Sequence, residues 1–170
     1  MKLYSIMAER VTQIILNTTN YISGSANNNA NYYIDWGAIL KPNIPYKLHW
    51  TYMGGLNTYN GTKAAFVSIN FNFNVYQASG TAIGASTSNI IGFLKPVVIT
   101  PASNTVFLMA DTATNEPVYM ERRPLNNNFN VQIVDVNGNL WLDNAATPVV
   151  PANWSLTLHF TEAERADKSV

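Results

Sequence analysis

The 170-residue chain contains no cysteine, which excludes disulfide bonds and zinc sites with thiolate ligands. Charged side chains are also scarce: they make up 12% of the residues, about half of the usual fraction in globular proteins. The formal net charge is +0, so the composition does not indicate a protein dedicated to nucleic acid or to an anionic membrane. Because a surface with few charges and no net charge repels its own copies only weakly, this composition favours a subunit of an assembly.

Long apolar segments are missing too. No stretch approaches the ~18 apolar residues of a membrane span, and residues 1–7 lack the apolar region of a signal peptide. We therefore expect neither a transmembrane segment nor a signal peptide.

Three N-x-S/T sequons begin at Asn17, Asn60 and Asn153, and we interpret them as chance occurrences in an asparagine-rich chain.

Catalytic motifs are absent as well: the sequence has no G-x-S-x-G, no H-E-x-x-H and no P-loop. The two histidines, His49 and His159, fall on the polar phase of predicted strands, where a solvent-facing role is expected. Asp135 and Asp143 flank a turn at residues 137–138 and could form a glycosidase-like carboxylate pair. An Asp before a turn more commonly caps backbone amides, however. We therefore predict no enzyme, and no catalytic, cofactor-binding or metal-binding residues.

What the chain does have is alternation of apolar and polar residues with period 2. The clearest case is residues 65–75, where apolar side chains at odd positions alternate with Ser68, Asn70, Asn72 and Asn74. An α-helix would scatter these residues around its circumference, so the pattern indicates a half-buried strand. We expect the core to include the apolar residues of this strand and of the last one, namely Val67, Ile69, Phe71, Phe73, Leu156 and Leu158.

The same alternation predicts further strands, residues 89–100 are a candidate that is apolar on both faces, and no segment indicates a convincing helix. The principal predicted strands cover residues 11–18, 32–40, 46–52, 65–75, 89–100, 106–109, 129–136 and 154–161. A minor strand is predicted at residues 118–123. Gly54 and Gly55 are expected to end the third strand, and Pro96 confines the later half of the fifth to an edge or a bend.

These strands predict an all-β protein, an antiparallel two-sheet β-sandwich. A count of about eight strands is that of a single jelly roll, although strand number alone leaves other sandwiches open. Residues 1–9 are interpreted as an N-terminal arm, 10–161 as the jelly-roll domain and 162–170 as a charged C-terminal tail. The arm carries several apolar residues, so we expect residues 1–8 to contact another chain, with a disordered terminus as the alternative.

Aromatic residues cluster in one third of the chain: Tyr32, Tyr33, Trp36, Tyr46, Trp50 and Tyr52. A carbohydrate-binding module would use exposed rings of this kind as stacking platforms. The alternative is packing in the core and at subunit interfaces. Trp50 and Tyr52 are in phase with Leu48, which favours packing. The charged run at residues 121–123 is interpreted as a salt-bridged edge rather than a nucleic-acid patch.

Several segments resemble a known family. Residues 124–135 (PLNNNFNVQIVD), the turn at 137–138 and residues 154–160 (WSLTLHF) resemble the C-terminal half of single jelly-roll capsid proteins. Such proteins occur in large icosahedral double-stranded DNA viruses and their smaller relatives, including virophages. Trp36 and the strands at residues 46–50 and 66–76 are similar in style, so the resemblance covers about two thirds of the chain.

The resemblance implies a structural role without catalytic residues. A single jelly roll of this length resembles the penton protein, which closes the five-fold vertices of the capsid as a homopentamer. A minor or cement capsid protein is the second possibility. The implied partners are further copies of the chain and the neighbouring major and minor capsid proteins, with no direct contact to nucleic acid. The implied location is the virion, assembled in the infected host cell. A carbohydrate-binding module and a glycoside-active enzyme are the competing classes.

Overall fold

The computed structural model describes residues 11–56, 65–69, 76–79, 82–87, 90–100, 105–110, 115–135, 138–141 and 153–163. These residues form eleven strands and one four-residue helix. In chain order they are β1 (Val11–Asn17), β2 (Asn29–Tyr33), α1 (Trp36–Ile39), β3 (Tyr46–Leu56), β4 (Ala65–Ile69), β5 (Tyr76–Ser79), β6 (Ala82–Thr87), β7 (Ile90–Thr100), β8 (Thr105–Ala110), β9 (Val118–Met120), β10 (Asn128–Val134) and β11 (Trp154–Glu162). The predicted all-β class is confirmed. None of the described helical residues forms a segment long and apolar enough to cross a membrane.

The strands pair antiparallel along one continuous path, in the order β1-β11-β3-β8-β7-β4-β10-β2. β7 divides this path because it changes partner along its length: it pairs with β4 up to Leu94 and with β8 from Lys95 onward. We call β1, β11, β3, β8 and the second half of β7 layer one, and the first half of β7 with β4, β10 and β2 layer two. The change of partner occurs beside Pro96, in agreement with the predicted edge or bend. β9 pairs with β3 and so belongs to layer one, and β5 and β6 form a separate pair.

Aromatic side chains hold the two layers together. Trp36 contacts Phe129 of layer two, with ring centroids 5.6 Å apart, and Phe160 of layer one, with centroids 5.8 Å apart. Tyr32 of layer two meets Trp154 of layer one edge-on at 6.4 Å. These contacts join facing strands, so the arrangement is a sandwich-like pair of antiparallel layers around one aromatic core.

The described core agrees with the predicted one where the two can be compared. Leu156 and Leu158 are fully buried, which confirms their predicted place. Phe71 and Phe73 lie outside the described residues, and for Val67 and Ile69 the description is limited to the backbone of β4. The largest fully buried side chains are those of Trp36, Trp50, Trp141, Phe129, Phe160, Leu48, Leu108, Ile133 and Leu156.

The strand predicted at residues 32–40 is wrong beyond Tyr33. The chain turns there into α1, because the carboxylate of Asp35 accepts hydrogen bonds from the backbone N–H groups of Gly37 at 3.1 Å and Ala38 at 3.3 Å. These bonds satisfy N–H groups that the first helical turn leaves unpaired. Apolar residues occupy this segment because it covers the core, and their presence alone does not distinguish a strand from a helical turn.

The structure differs from the sequence predictions at two further places. β3 does not end at the glycine pair but continues to Leu56, with Gly54 as the register partner of Trp154. The pairing of β5 with β6 was not predicted, because most of their residues are small or polar and do not alternate.

The domain limits can be compared only at the C-terminal end. β11 includes Glu162, and the backbone N–H of Ala163 donates to Pro45 O at 2.9 Å. β11 and the hydrogen bond that follows it therefore include Glu162 and Ala163, two residues that the sequence assigned to the tail. The whole predicted arm and residues 164–170 of the tail lie outside the described residues.

Candidate functional surfaces

The two histidines lie directly opposite each other on neighbouring strands of layer one. His49 on β3 is the register partner of His159 on β11, and both side chains are half-buried on the outer face. Gln13 Nε2 lies 3.1 Å from His159 Nδ1, as expected for an amide that donates to an unprotonated ring nitrogen. Burial, and after it the neighbouring His49, lowers the pKa of His159. The predicted position on the outward phase is confirmed, and the pairing is a feature that sequence patterns did not reveal.

Asp135 caps a turn, as predicted. Its Oδ1 accepts a hydrogen bond from the backbone N–H of Asn139 at 3.0 Å, and its Oδ2 accepts one from Asn139 Nδ2 at 3.4 Å. Gly138 has φ +80° within this turn, a conformation that glycine adopts without strain. Asp143, the other member of the hypothetical carboxylate pair, lies outside the described residues. Over the described ranges, no three His, Cys, Asp or Glu side chains are grouped in a way that could hold a metal ion.

The aromatic cluster belongs mostly to the core. Five of its members are buried: Tyr32, Trp36, Tyr46, Trp50 and Tyr52. The indole N–H of Trp50 donates to Ile91 O at 3.2 Å, and that of Trp36 donates to Asn126 O at 3.1 Å. These bonds fix the rings within the fold and confirm the packing interpretation. Tyr33 is the exception, because its side chain is 68% exposed.

Large apolar side chains are exposed on the outer face of layer one. They come from β1, β3, β8 and β9, and they are Val11, Ile15, Met53, Met109 and Tyr119. Met53 and Met109 are register partners on neighbouring strands. Between β1 and β3, β11 presents the half-buried polar side chains of Ser155, Thr157 and His159. Two lysines share the face, since Lys47 is the register partner of Tyr119 and Lys95 that of Met109. The face therefore mixes apolar, polar and charged side chains, a composition that is typical of non-obligate protein interfaces.

An open cleft of about 300 Å³ lies beside α1, and Thr12, Ile39, Leu40, Lys41, Tyr46 and Glu162 are among its lining residues. Glu162 Oε1 and Lys41 Nζ form an ion pair of 2.7 Å at this cleft. The backbone N–H of Lys41 donates to Tyr46 Oη, also at 2.7 Å. The two ionised side chains of the cleft thus pair with each other, and the Tyr46 hydroxyl bonds the Lys41 backbone. The ion pair links β11 to the residue that follows the C-cap of α1.

The charged run at residues 121–123 contributes a contact to the same segment. Arg123 Nη1 donates to Leu40 O at 2.9 Å and to Gly37 O at 3.3 Å. These carbonyls belong to the end of α1, where backbone acceptors lack partners within the helix. Arg123 therefore stabilises a helix end, while Glu121 and Arg122 are exposed.

A further surface, on layer two, was not identified from the sequence. β2 and β10 pair so that Asn29, Asn31 and Tyr33 lie opposite Gln132, Asn130 and Asn128, respectively. We call this surface of six side chains the amide face. Polar residues alternate in both segments of the sequence, but only the pairing of β2 with β10 brings the two rows together.

Comparisons with known proteins do not assign this chain to a family. No protein-family model matches it, and no curated protein matches it at a significant level.

Proposed function

We propose that the chain is a structural capsid protein, the penton subunit that closes icosahedral five-fold vertices as a homopentamer. The observation that carries the proposal is the order of the eight strands on the main path. Numbered along the chain, they lie in the order 1-8-3-6-5 in layer one and 2-7-4-5 in layer two, because strand 5 (β7) contributes its two halves to the two layers. This order supports a single jelly roll, a double-sheet fold of eight strands built from two Greek keys. The resemblance of the sequence to single jelly-roll capsid proteins supports the same conclusion.

A fold alone does not define a function, since jelly rolls also occur in lectins and cupins. The surface of layer one favours assembly. Val11, Ile15, Met53, Met109 and Tyr119 leave apolar area open to solvent on one face, and charged residues are only 12% of the chain. A self-associating subunit buries such a mixed face against its neighbours.

Within the part of the chain that the structure describes, several side chains with catalytic potential have structural partners. Asp135 caps a turn, Glu162 pairs with Lys41, and Arg123 binds the end of α1. These contacts favour a structural protein over a glycoside-active enzyme. A minor or cement capsid protein is the alternative role within the capsid, and its copy number separates it from a penton.

Native mass spectrometry of the purified chain, alone and co-expressed with the other capsid proteins of its virus, tests the proposal. We expect a pentamer, and about five copies per vertex in particles, as the closed cyclic symmetry of a five-fold position requires. A chain that remains monomeric under both conditions and is missing from particles would contradict the proposal. Incorporation at a copy number that does not match the vertices would instead assign the minor or cement role.

The substitution Ile15→Asp tests whether the outer face of layer one forms the subunit contact. Because Ile15 is 61% exposed, the isolated fold should tolerate the change, but an unpaired carboxylate in the interface should weaken association by roughly tenfold or more. Leu125→Asp is the matched control, since Leu125 is also exposed but lies in the segment between β9 and β10, outside the strands of layer one. Equal pentamer content in the two variants would show that this face is not the contact.

A further inference from the structure

The amide face combines one exposed aromatic ring with uncharged hydrogen-bonding groups. Its outward side chains alternate along β2 and β10 with buried ones, namely Ala30, Tyr32, Phe129, Val131 and Ile133. The period of a strand therefore directs the amides and Tyr33 away from the core. β2 is the last strand of the main path, so this face reaches the edge of layer two.

Hydrogen bonds hold the amides in defined positions. Asn130 Nδ2 donates to Asn29 Oδ1 at 2.8 Å and to Asn31 Oδ1 at 2.9 Å, linking the two strands through their side chains. Gln132 Nε2 lies 3.4 Å from the same oxygen of Asn29. Side chains that are already ordered lose less conformational entropy when a ligand binds, which raises the affinity that a given set of contacts can reach.

The Tyr33 ring is also held in place. Asn127 Nδ2 donates to the Tyr33 hydroxyl at 3.2 Å, and Asn128 is the register partner of Tyr33 on β10. The ring thus lies at one end of the two rows of amide side chains. Its hydroxyl group is hydrogen-bonded to the protein, and most of its surface is open to solvent. An amphipathic ring of this kind supplies contact area at low entropic cost.

From this arrangement we propose that the amide face binds a neutral carbohydrate, with Tyr33 as the stacking ring. One side of a sugar ring carries C–H bonds that pack on an aromatic ring, while its hydroxyl groups donate and accept hydrogen bonds at the edge. An amide group has two donor hydrogens and two acceptor lone pairs, so an asparagine that bonds its neighbour can also bond a hydroxyl group. This proposal does not depend on the capsid role.

Other ligand classes fit the face less well. The six side chains include no Lys or Arg, and phosphates or nucleic acids bind chiefly through such cations. They include no Asp or Glu either, so a basic peptide has no carboxylate to pair with. A peptide helix would require an apolar groove, whereas five of the six side chains are amides. The remaining competitor is a second copy of the chain, which the experiment distinguishes.

Saturation-transfer difference NMR tests the proposal, since it detects ligand protons whether the protein is monomeric or assembled. The probes are the neutral trisaccharides cellotriose, maltotriose and mannotriose, with 3′-sialyllactose as the anionic comparison. We expect at least one neutral trisaccharide to bind. Tyr33→Ala should weaken that binding by roughly tenfold or more, while Tyr33→Phe should retain it within about threefold because the ring remains. Tyr119→Ala, which removes an exposed tyrosine from layer one, should have no effect.

Three results would overturn the proposal. One is the absence of transfer to every neutral trisaccharide at roughly 10 mM, a concentration that nearly saturates a site with a Kd of about 1 mM. Another is an equal loss of binding in Tyr33→Ala and Tyr119→Ala, which would place the sugar elsewhere. The last is a change of oligomeric mass in Tyr33→Ala without any sugar binding by the original chain, which would identify the face as a subunit contact.

Discussion

At the scale of single residues, the histidine pair is the feature most sensitive to solution conditions. His159 faces His49 across two strands, and its Nδ1 lies beside the Gln13 amide. Desolvation is the main reason that the pKa of His159 lies below its usual 6.5, and His49 lowers it further. In the folded protein, His159 therefore resists protonation more strongly than in the unfolded chain.

This shift predicts the direction of a pH effect. Because the folded state binds the proton more weakly, the contribution of His159 to stability is complete above about pH 6.5 and is lost as the pH falls through its lowered pKa. We expect the melting temperature to decrease between pH 7.5 and pH 5, measured by thermal unfolding.

His159→Gln provides the control for this prediction. Glutamine does not titrate and can still bond the Gln13 amide, so the variant should show a smaller decrease in melting temperature over the same pH range. An identical decrease in the variant would assign the effect to other groups.

At the scale of a strand, Gly54 shows why β3 continues through its glycine pair. A Cβ atom at position 54 would lie 2.5 Å from Trp154 Cβ and 2.7 Å from the Tyr52 hydroxyl oxygen, closer than real Cβ contacts allow. Tyr52 and Trp154 stack with ring centroids 5.8 Å apart across the same pair of strands. The glycine therefore leaves room for two aromatic rings on the inner face rather than ending the strand.

Gly54→Ala should destabilise the protein by about 1–3 kcal/mol, because an added methyl group in a closely packed core displaces its neighbours. Chemical denaturation measures this change. Gly37→Ala is the matched control: position 37 is exposed in α1, and the nearest atom to its added Cβ is the carboxylate oxygen of Asp35 at 3.2 Å, at the end of a side chain. We expect the control to change stability by less than about 1 kcal/mol. Equal effects of the two substitutions would contradict the packing argument.

At the scale of the whole molecule, the N-terminal arm remains a prediction. Residues 1–8 lie outside the described residues and carry the apolar side chains of Leu3, Tyr4, Ile6 and Met7. If they dock on a neighbouring chain and bury a few hundred Å², the gross stabilisation is several kcal/mol at ~25 cal/mol per Å², before ordering costs.

Deletion of residues 2–8 should therefore leave the melting temperature of the isolated domain nearly unchanged but reduce incorporation into particles. Differential scanning calorimetry and particle composition provide the two measurements. Deletion of residues 164–170 is the control, because the charged tail offers little apolar area, and we expect it to affect neither quantity. A large loss of thermal stability after the N-terminal deletion would place the arm within the domain's own core.

Much of the fold follows from the sequence alone. Alternating apolar residues identified β3, β4, β10 and β11 and placed Leu156 and Leu158 inside, because each strand needs one face toward the core. The absence of cysteine and the scarcity of charge limited the chemistry that the chain can perform. Asp135 before the Gly138 turn was likewise predictable, since its capping bonds form within five residues.

The tertiary structure decided which strands are neighbours, and with them the candidate surfaces. Alternation reveals which side chains of one strand share a face. It does not reveal which strand lies next to that strand, because every strand presents the same backbone donors and acceptors. The pairing of β3 with β11 brings His49 to His159, and the pairing of β2 with β10 assembles the amide face. Tyr32 and Tyr33 are adjacent in the sequence, yet one is buried and the other exposed, because only the packing of the two layers determines which face of β2 points inward.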